Sequence, residues 1–377
     1  MDLRYTDEQI VFRDEVRTWL EANIPKTPLP SFDTAEGFEA HRDWERTLAQ
    51  GNWGMVTWPE AFGGRGCDLL EWLIFEEEYY RAGAPLRVNQ NGIFLLGPTL
   101  MEYGTEAQKA RFIPAMAKGD EIWAQGWSEP NAGSDMAAIR CRAERDGDDF
   151  IISGQKIWST RAVYADWVFG LFRTDPTSER HHGLSKILVP LNADGITVRP
   201  IPQLNGLPGF AEIFFDEVRV PAFNLLGGEG EGWRIAMATA GFERGLMLRS
   251  PARFQQAAKR LVELYRSRSN EVLDPSIEDA VLRCYMDAEA YALSTYQTAS
   301  LLCGGGSIGP EASCNKIFWS ELDLLIHETA MKLLGARGEI EPQTAQEFGD
   351  LGTWLDGFMF AQSCPIYAGT NEIQRNI

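Results

Sequence analysis

The hydrophobic periodicity of this chain changes twice, and each change limits what the flanking residues can build. From Thr6 onward apolar residues recur at helical spacing: Phe12, Val16, Trp19, Leu20 and Ile24 share one face, Thr6 and Gln9 have the capping-box spacing, and Pro25 stops the helix. Further helices are expected over 37–49, 69–81, 90–103 and 106–117, with Trp58-Pro59-Glu60-Ala61-Phe62-Gly63-Gly64 as a turn-rich interruption. From about Ile122 the pattern becomes short β-branched and aromatic runs separated by Gly, Asp and Pro. Strands are expected over 122–127, 138–145, 150–153, 167–172, 186–190, 197–200 and 211–220, with Asp146-Gly147-Asp148 as a hairpin turn. After Gly230 the helical period returns, broken near Asp274-Pro275, Gly304-Gly305-Gly306 and 335–342. Helices, then sheet, then helices define an α+β chain, divided as a helical domain 1–121, a β-domain 122–226 and a helical domain 227–377.

Charge narrows the partners. Thirty-five Lys and Arg against 54 Asp and Glu give a net charge of -19, which argues against a non-specific nucleic-acid binder or a polybasic membrane-surface protein. The six cysteines (Cys67, Cys141, Cys284, Cys303, Cys314, Cys364) form no C-x-x-C pair, so neither a disulfide framework nor a thiolate zinc site is suggested. The polar start lacks the apolar core of a signal peptide, and no run of 18 apolar residues occurs, so a cytoplasmic protein in a reducing compartment is expected. His181-His182 lies in a polar stretch and reads as solvated loop rather than metal site. The glycines of 227–232 lack the βαβ context of a dinucleotide fingerprint.

Three short segments could carry chemistry. The first is Trp127-Ser128-Glu129-Pro130-Asn131-Ala132-Gly133-Ser134-Asp135, where small and hydroxyl residues after a strand let backbone N–H groups approach an anionic or carbonyl-rich ligand. The second is Gly154-Gln155-Lys156-Ile157-Trp158-Ser159-Thr160, an aromatic ring and hydroxyls expected just past a strand end. The third is Tyr367-Ala368-Gly369-Thr370-Asn371-Glu372-Ile373-Gln374. Each alone reads as a turn or a helix cap; the three in this order are far more specific.

Together with Trp58-Pro59-Glu60, Gly63-Gly64, Gly104-Thr105-Glu106-Ala107-Gln108-Lys109 and Ile113-Pro114, these segments make the whole chain resemble an acyl-CoA dehydrogenase. The first segment is most similar to the isovaleryl-CoA dehydrogenase version of the flavin motif. The resemblance implies a helical N-terminal domain, a middle β-barrel-like sheet domain and a C-terminal four-helix bundle. It implies FAD as cofactor, held at its isoalloxazine and ribityl portions by Gln125, Trp127, Ser128, Gly133, Ser134, Trp158, Ser159 and Thr160, and on its pyrophosphate side by Thr370, Asn371 and Glu372. Ser134, Phe242, Arg244, Ala368 and Gly369 are the implied acyl-CoA contacts, and Gly92, Leu95 and Leu96 are further candidates for the pocket wall. No metal is implied. The implied reaction removes an α-proton to a base while the β-hydrogen leaves as hydride to flavin N5, with an electron-transferring flavoprotein as re-oxidant. Such a site needs a desolvated carboxylate and donors at the thioester oxygen.

Two departures sharpen the resemblance. Many family members carry the base just before the Gly-Thr of the last motif, where this chain has Ala368; a subset places it before an Arg on the first C-terminal helix, matching Gly241-Phe242-Glu243-Arg244-Gly245. Glu243 is therefore the expected base, and the Ala368 N–H can still donate to a thioester oxygen. The segments by which relatives usually reach the FAD of a neighbouring subunit read Arg266-Ser267-Arg268-Ser269-Asn270-Glu271 and Lys332-Leu333-Leu334-Gly335-Ala336, and neither keeps the family pattern. This is similar to catalytic α chains of two-gene enzymes of actinobacterial steroid side-chain degradation, so the expected assembly is a tetramer, either α2β2 with a related chain or a homotetramer. A flavin oxidase or monooxygenase of the same fold, and a non-catalytic subunit, are the alternative readings. Branched, long and steroid-linked acyl groups all stay open, and relatives usually continue beyond the position of Ile377.

Overall fold

A computed structural model describes residues 4–244, 250–268, 274–340 and 351–377, without the side chains of 242–244, 351 and 352. The chain forms two compact units, Pro25–Cys67 with Pro85–Leu248, and Met1–Ile24 with Asp68–Ala84 and Arg249–Ile377. The N-terminal helices are thus shared between the units.

In the first unit, helix α2 (Ala35–Gln50) starts on Thr34, whose side chain accepts from Gly37 N–H. The expected helix over 90–103 is instead a π-helical turn, Asn91–Leu96, running into α4 (Gly97–Tyr103). Pro98 explains the change, because it has no N–H for the α-helical ladder; the Gly97 N–H bonds Gly92 O, five residues back. Gly97 also lies against the buried Trp58, whose ring a Cβ there would meet at 2.2 Å. Helix α5 (Glu106–Ala117) opens with a reciprocal Thr105–Gln108 capping box.

The sheet has strands β1 (Trp123–Gly126), β2 (Arg142–Asp146), β3 (Asp149–Thr160), β4 (Trp167–Arg173), β5 (Leu184–Pro190), β6 (Ile196–Ile201), β7 (Phe210–Pro221) and β8 (Leu225–Leu226). Its order is β6-β7-β3-β2-β4-β5-β8, with β1 parallel to β4. The β2–β3 hairpin turns at Gly147, φ +63°, as expected. Two expectations are corrected. Residues 138–141 are not strand, because the N–H groups of Arg140 and Cys141 donate to the Glu129 carboxylate rather than to a neighbouring strand. Strand β3 does not end at 153 but runs through Trp158 to Thr160, bulging at Ile152/Gly154 and again at Lys156/Ser159. Gly154, φ +141°, permits the first bulge, since a Cβ there would come 2.6 Å from Cys141 Sγ. Helix α6 (Gly232–Arg244) packs on β5.

The second unit is helical. Helix α1 (Asp7–Asn23) has the expected Thr6–Gln9 capping box and buries Phe12, Val16 and Leu20, while α3 (Leu69–Arg81) is capped by Asp68 and Glu71. With α7 (Pro251–Ser267), α8 (Pro275–Cys303), α9 (Ala312–Leu334), α10 (Leu351–Ala361) and α11 (Asn371–Asn376) they complete the unit. Phe254, Leu261, Tyr291, Trp319, Ile326 and Trp354 are central to the core of the C-terminal helices. Among the described residues no helix is long and apolar enough to cross a membrane.

Candidate functional site

The first two motifs meet in the sheet unit, and a buried ion pair joins them. Lys156, fully buried in β3, donates to Glu129 Oε1 at 2.8 Å, to Leu171 O at 2.6 Å and to Trp127 O at 3.3 Å. Glu129 also accepts from the N–H groups of Arg140 (2.7 Å) and Cys141 (2.9 Å), so the buried carboxylate is satisfied on both oxygens. Ile157 N–H donates to Ser128 O at 2.9 Å. Reciprocal backbone bonds between Glu129 and Ala132 then close a tight turn that leaves Gly133 and Ser134 exposed. Glu129 stood inside a motif read for its small and hydroxyl residues; the available signal was a lysine at one of the buried positions of a strand whose burial alternates.

Trp158 occupies the second bulge of β3 at φ +60°, a conformation unusual for a bulky residue, and is 57% exposed. Its ring meets Phe210 edge-on at 6.1 Å. Beside it in sequence, the Ser159 hydroxyl is buried without a hydrogen-bond partner, as is the indole N–H of Trp127. Thr160 is half-buried at the strand end, and Gln125 lies in β1 in register with Phe169. An exposed indole held in a strained bulge, with two unsatisfied buried donors in the same two motifs, fits a flat aromatic ligand with a hydrogen-bonding rim.

The third motif belongs to the helical unit. Ala368 (φ +55°) and Gly369 (φ +77°) form a left-handed pair, and both their carbonyls accept from the buried Gln374 side chain. Thr370 caps α11 by accepting from Ile373 N–H. Asn371 is buried, its Oδ1 accepting from Lys316 at 2.8 Å and Ser320 at 3.1 Å. Glu372 is exposed, and its own backbone N–H, then the Thr370 hydroxyl, hold its carboxyl below the usual range. Tyr367, just before the turn, contacts Trp319 and Phe360 and lies 3.3 Å from Cys364 Sγ. Cys364 in turn donates to the buried Asp323, which also accepts from Arg253. Burial alone would raise the Asp323 carboxyl, but Arg253 and then His327 hold it well below its ordinary value.

Helix α6 carries Phe242, Glu243 and Arg244 near its end; their side chains lie outside the described residues, as do Ser269, Asn270 and Glu271. His181 and His182 are exposed with rings 4.1 Å apart, and among the described residues no cluster of metal-ligating side chains forms.

Family models match nearly the entire chain: acyl-CoA dehydrogenase N-terminal domain over 6–120, middle domain over 124–218 and C-terminal domain over 230–377. The chain belongs to the acyl-CoA dehydrogenase family. That is a family of typically FAD-dependent enzymes. The chain is 39% identical over 376 residues to acyl-CoA dehydrogenase IpdE1 of Mycobacterium tuberculosis, covering 97% of this chain and 95% of that protein. Among solved structures it is similar to the Tcur3481-Tcur3483 steroid ACAD (TM-score 0.85, 28% identity, 100% of this chain and 97% of that one). It is also similar to a chain of the ChsE4-ChsE5 complex of Mycobacterium tuberculosis (TM-score 0.82, 29% identity, 100% and 97%). The three-part architecture of this acyl-CoA dehydrogenase is the family's: helical N-terminal domain, middle sheet domain, helical C-terminal domain.

Proposed function

We propose that this chain catalyses the α,β-dehydrogenation of an acyl-CoA thioester with Glu243 as the base and FAD as cofactor. The observation that carries the reading is the joining of the two flavin motifs by Lys156 and Glu129, which sets the exposed Trp158 and the unsatisfied Ser159 and Trp127 donors in one small region of fold. Gln125, Trp127, Ser128, Gly133, Ser134, Trp158, Ser159 and Thr160 hold the flavin and ribityl portions, and Thr370, Asn371 and Glu372 the pyrophosphate side. FAD, when bound, supplies the acceptor for the β-hydrogen.

The chain's own residues handle the proton and the charge. Glu243 takes the α-proton; no carboxylate stands at the alternative family position, Ala368. The N–H of Ala368 donates to the thioester oxygen, where negative charge builds, and one such donor is worth about 3 kcal/mol in the transition state. Ser134, Phe242, Arg244 and Gly369 complete the thioester and acyl contacts. The acyl group proposed is steroid-derived, by analogy with the similar Tcur3481-Tcur3483 steroid ACAD.

An electron-transferring flavoprotein is the proposed re-oxidant, and the proposed assembly is α2β2 with a related chain. Two relatives are reported as two-chain assemblies. Leu282, Met286 and Leu293 of α8 recur on one helical face and are exposed in this chain, as a partner surface requires.

The test is an anaerobic flavin-bleaching screen with isovaleryl-, octanoyl-, palmitoyl- and cholanoyl-CoA, on the chain alone and co-expressed with a related chain. Bleaching by cholanoyl-CoA supports the reading. Failure of every thioester to bleach either preparation overturns it, and a fully active, FAD-replete tetramer of the single chain overturns the α2β2 assembly.

A further inference from the structure

The sheet unit contains a second fully buried lysine, and among the described residues this one has no carboxylate partner. Lys186, in the middle of β5, donates to Thr239 Oγ1 of α6 at 2.7 Å. Thr239 Oγ1 lies 2.9 Å from Thr99 Oγ1 of α4, and both residues are fully buried. Each threonine also reaches the carbonyl four residues back in its own helix, Thr99 to Leu95 O and Thr239 to Ile235 O. The ring of Phe169 lies 4.9 Å from the Lys186 nitrogen and that of Trp127 5.8 Å away. Lys156, by contrast, has Glu129.

A lysine buried without a counter-charge is costly where methionine or leucine would fill the same space, so stability does not account for it. Its contacts are informative. Thr239 and Glu243 are four residues apart on α6, and positions so spaced share a helix face. The lysine therefore ties the sheet to α6 one turn before Glu243, with the Thr99 hydroxyl on the far side of the same contact. We propose that Lys186 is a positioning residue for the dehydrogenation, fixing the height and rotation of the α6 turn that bears Glu243. The inference rests on the reading of Glu243 as the base.

Burial lowers the Lys186 pKa to about 7, so the contact changes character near neutrality. The ammonium can only donate to Thr239, whereas the neutral amine can also accept, drawing the Thr239 proton away from Ile235 O. The groups facing it are the Thr239 hydroxyl on α6 and the rings of Phe169 on β4 and Trp127. The ionisable groups on the packed elements are Arg234 on α6 with Glu231 just before it, Glu102 and Tyr103 on α4, Arg173 on β4 and the paired Lys156 on β3. None of these contributes to the shift, which burial alone produces. Glu243 and Arg244 follow on α6, with side chains outside the described residues.

Stopped-flow flavin reduction of the holoprotein, with the panel thioester that bleaches it fastest, tests the proposal. Lys186→Met is expected to slow reduction at saturating thioester by about tenfold or more, with FAD content and thioester Kd within about twofold. The wild-type rate should inflect near pH 7, and Lys186→Met should lose that inflection. Thr239→Val should reproduce the slow phenotype, and Thr239→Ser, which keeps the hydroxyl, should reduce within about twofold of wild type. Wild-type rates in Lys186→Met overturn the proposal, and if that variant does not fold, a wild-type rate in Thr239→Val does so. Glu243→Gln separates the two readings: an inactive Glu243→Gln beside an unimpaired Lys186→Met overturns the positioning role alone, while normal rates in Glu243→Gln overturn the base assignment and this inference with it.

Discussion

Replacing Glu129 with alanine should loosen the candidate flavin region without touching any residue proposed to contact the cofactor. The substitution strands the fully buried Lys156 with only the carbonyls of Trp127 and Leu171, and it strips the acceptor from the N–H groups of Arg140 and Cys141. Breaking a buried pair by removing one partner costs about 3–5 kcal/mol, and each orphaned N–H carries a further penalty wherever water cannot reach it. A local opening cost lowered by about 3 kcal/mol corresponds to roughly 150-fold faster amide exchange at RT of about 0.59 kcal/mol. Hydrogen exchange followed by mass spectrometry should show that acceleration in peptides covering 139–142 and 156–160, with helix α8 unchanged as internal reference. Lys156→Met removes the stranded charge, so the double variant should recover about 1–3 kcal/mol relative to the sum of the singles. Additive singles, or exchange at 139–142 within about threefold of wild type, would refute the claim that this ion pair holds the motifs together.

Three further outcomes are expected. Glu243→Gln should retain FAD and thioester affinity while losing about a thousandfold or more in flavin reduction rate, read by anaerobic stopped flow. Trp158→Gly should raise apoprotein stability by about 0.5–1 kcal/mol, because glycine takes φ +60° without strain, and weaken FAD binding by about tenfold, measured by thermal shift and by fluorescence titration. For Lys186, the folded pKa of about 7 lies below the ordinary 10.5, so between those values the unfolded chain binds more protons and stability rises with pH. A mean excess of about 0.85 proton over the two units from pH 7 to 9 gives about 2 kcal/mol, and Lys186→Met should remove that rise and gain most at the acid end, measured by urea denaturation across pH.

What was legible in the sequence is what depends on near neighbours. The capping box at Thr6, the Asp146-Gly147-Asp148 turn and the alternation from helix to sheet to helix are set within a few residues, and all formed as expected. The errors arose where a distant group took over a local choice. Residues 138–141 have strand-like composition, yet the Glu129 carboxylate captures two of their N–H groups. Gly154 reads as a terminator but serves a bulge against Cys141. The motifs of the candidate site were visible as a family pattern. The Lys186–Thr239 contact spans 53 residues and the Lys156–Glu129 pair 27, and no periodicity encodes such pairings.

Trp127 shows why the two buried lysines belong to one arrangement. Lys156 donates to its carbonyl, and Lys186 lies beside its ring. The main chain and the side chain of one flavin-motif residue thus each lie against a different lysine, one neutralised by Glu129 and one with no carboxylate partner among the described residues. An apolar core at 156 and 186 would fold with less desolvation cost, but it would offer no donor to the Trp127 carbonyl and no tie from β5 to Thr239. Hydrophobic contacts are non-directional and leave a helix free to slide by fractions of an ångström, whereas a hydrogen bond of 2.7 Å fixes both distance and direction. Proton abstraction from carbon tolerates little such slack, since the base must sit within hydrogen-bond reach of the carbon-bound proton it takes. The stability forgone at Lys186 is therefore what geometric control of the Glu243 turn requires.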